Sequence, residues 1–181
     1  MGRTVLVTGV SRYLGGRMAA LLATDPAIDT VIGVDVVAPE LAIPGTEFVR
    51  ADIRNPVIAK VMGEAGVDTV VHMGVIATSK QAGGRSTMKE INVIGTMQLL
   101  AACQRTPSVR SLIVKSTAAV YGIPPGGLAA EDSPTAPINP YGTSKLMSEW
   151  MLRDASAAHG FGYVVLRYFN AYGPRQRPDM A

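Results

Sequence analysis

The sequence predicts an α/β fold built on a doubly wound parallel sheet, and three observations carry that expectation. Short β-branched runs alternate from end to end with longer segments whose apolar residues recur every three or four positions. The runs are apolar on both faces, as in Val5-Leu6-Val7 and Val70-Val71, which suits strands covered by helices on each side. A chain of 181 residues that is 48% hydrophobic can fill one sizeable core.

In chain order, strands are expected at 4–8, 30–36, 47–50, 69–75, 112–115 and 163–166, and helices at 17–23, 56–65, 86–104 and 141–159. The long irregular connection is 122–140, where Pro124, Pro125, Pro134, Pro137 and Pro140 exclude regular structure. Residues 1–181 read as one dinucleotide-binding domain, with the start of a substrate-binding region at about 168–181. The last residues form a loop that follows a strand, so a further domain is expected to be missing.

Composition removes several function classes. Charged residues are 17% of the chain, and 17 Lys+Arg against 14 Asp+Glu leave a scattered net charge of +3, so no nucleic acid is expected as a partner. No run approaches the roughly eighteen apolar residues needed to cross a bilayer, and no membrane partner is expected. The N-terminus lacks the pattern of a signal peptide or of a myristoylation motif, which gives a cytoplasmic location as the expectation. Cys103 is the single cysteine and His72 and His159 the two histidines, so no metal site is expected.

The first strand runs into Gly9-Val-Ser-Arg-Tyr-Leu-Gly15 and then a helix, the context of a dinucleotide fingerprint. Gly9 permits a tight turn, Gly15 lets the helix approach the strand, and the helix N-terminus can receive a pyrophosphate. Asp35 follows twenty residues after Gly15, where a carboxylate can accept both hydroxyls of an adenosine ribose. Arg12 stands where a middle glycine is expected. A guanidinium there could welcome a 2′-phosphate that Asp35 would repel, and the weight given to Asp35 favours NAD over NADP.

Tyr141-Gly-Thr-Ser-Lys145 opens the last helix, with both side chains on one face. A tyrosine of pKa about 10 is a poor base at neutral pH, but a lysine ammonium one turn away and a nicotinamide cation nearby favour its phenolate. Such a residue can take a proton from a substrate hydroxyl and return it. The fifth strand ends in Ser116-Thr117, at the sheet edge where doubly wound folds hold ligands, and the Thr117 hydroxyl is expected to bond the reacting oxygen. His72 is expected to pack or hydrogen-bond, with Met73, Gly74 and Val75 as the contact residues at that strand end.

The glycine turn, Asp35, the strand-end hydroxyls and the Tyr141/Lys145 pair, in this order, resemble the extended short-chain dehydrogenase/reductases, within them the nucleotide-sugar epimerase and dehydratase family. The likeness extends through Asp52-Ile53, Asn92 to Thr96, Ser116 to Gly122, Asn139 to Lys145 and Arg167-Tyr-Phe-Asn-Ala-Tyr-Gly-Pro174. It implies a Rossmann fold, NAD as cofactor, and Thr117, Tyr141 and Lys145 as catalytic residues. Gly9, Arg12, Tyr13, Leu14, Gly15, Asp35, Asp52, Ile53, Met73, Gly74, Val75, Asn92, Ser116, Tyr141, Lys145 and Phe169 would face the cofactor. Thr117, Tyr141 and Asn170 would reach the substrate, a nucleotide sugar or another small alcohol.

Ala118 and Ala119 stand where family members that dehydrate the sugar carry an Asp-Glu pair. The expected reaction is therefore NAD-dependent epimerisation, like that of UDP-glucose 4-epimerase. A dehydrogenase or reductase of a non-sugar alcohol or ketone and a non-catalytic dinucleotide sensor are the alternatives. The resemblance also implies a homodimer formed by the helices at 86–104 and 141–159, with Met88, Ile91, Met97, Leu100, Met147, Trp150 and Met151 as candidate contacts.

Overall fold

The computed structural model describes residues 2–76, 83–170 and 172–174. Its strands are β1 (Arg3–Thr8), β2 (Ile28–Asp35), β3 (Thr46–Arg50), β4 (Thr69–His72), β5 (Ser111–Thr117) and β6 (Gly162–Tyr168). They form one sheet in the order β3-β2-β1-β4-β5-β6, and every neighbouring pair is parallel. This is the doubly wound order, whose direction of growth reverses between β1 and β4. Its helices are α1 (Tyr13–Leu22), α2 (Val57–Glu64), α3 (Arg85–Lys89), α4 (Gly95–Gln104) and α5 (Pro140–His159).

Alternation along the strands builds two separate cores. Leu6, Ile32, Val70, Leu112 and Val114 pack with Ile58 and Met62 of α2, Leu99 and Cys103 of α4 and Leu152 of α5. On the other face Val5, Val7, Val31 and Val71 pack with Ala19 of α1, and Ile113 adds to them. The two-sided apolar runs of the sequence thus serve a sheet covered on both faces.

Most boundaries lie within two residues of expectation, and three larger departures each have a local reason. Helix α1 starts at Tyr13 rather than 17, because the turn residues through Gly16 already belong to its first turn. Strand β4 stops at His72 rather than 75, since the chain turns there through a Val75 N–H to Met73 carbonyl bond of 3.0 Å. The helix expected over 86–104 contains a π-helical stretch, Glu90–Ile94, between α3 and α4. Its Asn92 carbonyl accepts the Thr96 hydroxyl at 2.7 Å and the Ser148 hydroxyl of α5 at 3.2 Å, and such intrusion into the backbone ladder goes with widened turns.

Helix α5 is capped at both ends as its sequence prescribes. Asn139 accepts the Gly142 N–H at 2.8 Å, Pro140 takes the first turn where its missing N–H costs nothing, and Gly160 closes the helix at φ +75°. That start is what sets Tyr141 and Lys145 on the first turns.

Candidate active site

The sheet reverses direction between β1 and β4, and the two glycines there touch. A Cβ on Gly9, whose φ is +78°, would lie 2.6 Å from the Gly74 Cα, and one on Gly15 would lie 2.1 Å from the Gly9 carbonyl oxygen. The N-terminus of α1, which takes no side-chain cap from Arg12, lies at this crevice. A dinucleotide pyrophosphate fits such a cradle, bare of side chains and edged by a helix N-terminus. Gly15→Ala should therefore push α1 off the end of β1. A calorimetric titration is expected to show NAD affinity reduced by at least about tenfold, the scale of one lost charge-assisted contact.

Around this cradle the two acids expected at the cofactor, Asp35 at the adenosine ribose and Asp52, already accept hydrogen bonds. Asp35 is half-buried and accepts the Ser11 N–H at 3.0 Å and the Val36 N–H at 2.8 Å, while the Ser11 hydroxyl donates to the Val37 carbonyl. Asp52 receives Arg54 through bonds of 2.6 and 3.0 Å, and this guanidinium holds its carboxyl below the usual carboxylate range. Ile53 packs on α4 at Gly95, where a Cβ would come within 2.9 Å of its Cδ1. Tyr13, Leu14, Arg12, Phe169 and Asn170 are exposed.

Four of the expected cofactor contacts have side chains that the strand and helix geometry turns inward. Ser116 alternates with Thr117 on β5, so its side chain faces α5 and its hydroxyl donates to Glu149 rather than toward a ligand. The Asn92 amide is buried, donating to the Ile76 carbonyl at 2.8 Å and accepting the Ile76 N–H at 2.9 Å. Met73 and Val75 are buried as well, Met73 in the core beneath α1, which leaves their backbone, beside Gly74, as the ligand-facing part.

Thr117, Tyr141 and Lys145 do come together at the carboxyl end of β5 and the start of α5. Thr117 accepts the Ala119 N–H at 3.2 Å and is a hydrogen-bonding neighbour of the Tyr141 hydroxyl. Lys145 is fully buried, and its Nζ has no hydrogen-bond partner. Burial, with the Lys115 charge added, pushes its pKa down to about 7, and Glu149 pulls only weakly the other way.

The expected phenolate rests on the Lys145 ammonium together with a nicotinamide cation. Burial raises the Tyr141 phenol above its ordinary value, and the Thr117 hydroxyl is the group that opposes it. Positive charge brought by a ligand favours the ionised phenol. NAD, when bound, supplies that charge together with the capacity to accept and give back a hydride. The glycine cradle and the unpartnered Lys145 are what the chain offers it.

Sequence reasoning passed over the groups that brace this site. Glu149 of α5 accepts the Arg167 Nη2 of β6 at 2.7 Å, and Arg167 also donates to the Tyr121 hydroxyl at 2.8 Å with its guanidinium 4.9 Å from that ring. The signal was a glutamate inside a helix one turn beyond the lysine, which reads equally as a solvated face. Glu149→Ala would leave Arg167 uncompensated and the Ser116 hydroxyl without an acceptor. Thermal unfolding should show a loss of about 2–3 kcal/mol, below the range for fully buried pairs because 26% of the Arg167 side chain remains exposed.

The fold and the glycine turn together define a domain of the dinucleotide-binding kind. A profile of the NAD dependent epimerase/dehydratase family matches residues 5–181, and the chain belongs to that family. NAD is accordingly its cofactor. A UDP-glucose 4-epimerase of Azospirillum brasilense is 42% identical over 93% of this chain and 49% of its own length. An uncharacterised protein of Mycobacterium tuberculosis is 43% identical over 99% of this chain and 45% of its own. Among solved structures, the UDP-glucose 4-epimerase of Brucella ovis in complex with NAD aligns with a TM-score of 0.86 at 33% identity, covering 95% of this chain and 53% of that one. The chain thus spans about half the length of the curated relatives it matches.

Proposed function

We propose that this protein is a nucleotide-sugar epimerase of the UDP-glucose 4-epimerase kind, and that the present chain supplies its NAD-binding and proton-transfer half. The observation that carries this reading is the grouping of Thr117, Tyr141 and Lys145 at the carboxyl end of β5 and the start of α5, with two alanines, Ala118 and Ala119, directly after the threonine. No carboxyl pair stands there to remove water from a sugar, whereas epimerisation asks only for one proton taken and one returned. The curated relatives named UDP-glucose 4-epimerase support the same substrate class.

In this account Tyr141 accepts the proton of the sugar hydroxyl at the carbon being inverted, with Thr117 bonding the same oxygen. Lys145, unpaired within the protein, directs its ammonium to the bound cofactor and substrate and stabilises the phenolate. Asp35 holds the adenosine ribose, and Asn170, exposed past the end of β6, meets the substrate. Residues 168–181 begin the substrate-binding region, of which 171 and 175–181 lie outside the described residues.

A homodimer in the cytoplasm completes the proposal. Of the seven candidate contacts, Met97, Met147 and Trp150 are exposed, whereas Met88 and Leu100 are buried and belong to the core. Ile94 joins the exposed set. Among the described residues no helix is long and apolar enough to cross a membrane.

The test uses UDP-glucose deuterated at the sugar C4. An epimerase converts it to the 4-epimer with the deuterium retained at C4. Loss of the label from the sugar with stoichiometric reduction of NAD would replace this reading by a dehydrogenase.

A further inference from the structure

Beneath the cradle lies a run of buried hydrogen bonds that the reaction itself does not use. His72, at the end of β4, is fully buried; its Nδ1 lies 2.7 Å from the Thr8 hydroxyl of β1 and its Nε2 lies 3.4 Å from the Thr96 hydroxyl of α4. The Thr8 oxygen also accepts the Gly74 N–H at 3.2 Å. The Thr96 hydroxyl donates to the Asn92 carbonyl at 2.7 Å.

Counting protons fixes the direction of every link. Thr96 has one hydroxyl hydrogen and spends it on Asn92, so toward His72 it can only accept, and the ring must carry its hydrogen on Nε2. A neutral ring protonated at Nε2 offers Nδ1 as an acceptor, which takes the Thr8 hydroxyl hydrogen. The Thr8 oxygen is then free to accept from Gly74. Burial first, and the Lys145 and Lys115 charges after it, hold the imidazole neutral, with its pKa down at about 3. The chain therefore runs from the Gly74 N–H through Thr8, His72 and Thr96 to the Asn92 carbonyl, each donor used once.

We propose that His72, as a neutral ring protonated at Nε2, is a positioning residue for the NAD site, tying the glycine crevice to the helix that carries Tyr141 and Lys145. At one end is Gly74, whose backbone a Cβ on Gly9 would strike. At the other, the Asn92 carbonyl lies 3.2 Å from the Ser148 hydroxyl, whose one hydrogen is shared with the Ser144 carbonyl at 2.9 Å, and Ser148 lies three residues beyond Lys145 on α5. The ring touches no ligand and acts through these two ends. It has a second consequence for Lys145, since neither ring nitrogen has a lone pair to spare: one accepts from Thr8 and the other bears hydrogen. Lys145 thus finds no acceptor in its imidazole neighbour, and its three donors stay available to what binds above.

The inference rests on the dinucleotide site and is independent of which sugar is turned over, so its failure would leave the epimerase reading standing. The test combines nitrogen NMR of protein labelled in its histidine rings with calorimetric titration of NAD. His72 should give the pattern of a neutral ring with its hydrogen on Nε2. Thr8→Val and Thr96→Val, which keep volume and delete one hydroxyl each, should each raise the NAD Kd by about 5- to 10-fold, the scale of one buried hydrogen bond. The Thr96 variant should also lose the Nε2–H signature, a change that packing loss alone does not produce. A wild-type ring found charged or protonated at Nδ1, or NAD Kd values in both folded variants equal to the wild type, would overturn the proposal.

Discussion

Tyr141→Phe should lower turnover of the nucleotide sugar by about 10²–10⁴-fold, the usual span for removing a positioned acid–base group, while NAD affinity stays close to that of the wild type. The substitution removes one hydroxyl from a half-buried ring and nothing that lines the glycine crevice. Because burial holds the phenol above its ordinary value in the protein alone, the pH profile should tell the two states apart. A group in the free enzyme is expected to titrate high, and the same group should move down once NAD brings positive charge beside it. Steady-state rates across pH, with NAD saturating and subsaturating, read both.

Lys145→Met should separate function from stability, and in opposite directions. The folded protein holds Lys145 buried and unpaired with its pKa at about 7, against an ordinary value of 10.5. Between those two values the unfolded chain carries a proton that the folded chain lacks, so stability rises with pH across that window and is lowest below pH 7. Methionine fills nearly the same space without the charge. Without NAD, the variant should melt about 5–10 °C higher at pH 7 and lose the wild-type rise of stability toward pH 10, a change of a few kcal/mol. Turnover should nonetheless fall by orders of magnitude, since the substitution removes the ammonium one helical turn from the tyrosine. A site that costs the apo protein stability is what a preorganised ligand pocket requires.

The sequence made the sheet legible because its strands are apolar on both faces and its helices are amphipathic, and the structure follows that pattern strand by strand. The glycine turn and the Tyr141/Lys145 spacing were legible for the same reason: each is a local motif whose geometry follows from its own secondary structure. What escaped the sequence depends on which face a residue presents or on contacts across the sheet. Ser116 and Thr117 look equivalent as neighbours, yet strand alternation sends one to Glu149 and the other toward Tyr141. Asn92 reads as a polar residue on a helix, and only the π-helical stretch shows it turned inward onto Ile76. The lysine–tyrosine spacing speaks only of charge, and burial, which the sequence does not state, works against the phenolate in the protein alone. Thr8, His72 and Thr96 lie on three different elements, so no spacing in the chain could announce that they meet.

The central claim is that an NAD site and a tyrosine base act together on a nucleotide sugar. Its most direct measurement is NAD titration followed by proton NMR of UDP-glucose incubated with the NAD-loaded protein, wild type and Tyr141→Phe side by side. The account predicts saturable NAD binding in both and appearance of the 4-epimer only with the wild type. Equal NAD binding with no Tyr141-dependent conversion of UDP-glucose, other nucleotide sugars or simple alcohols would contradict it and leave a dinucleotide-binding protein without catalysis.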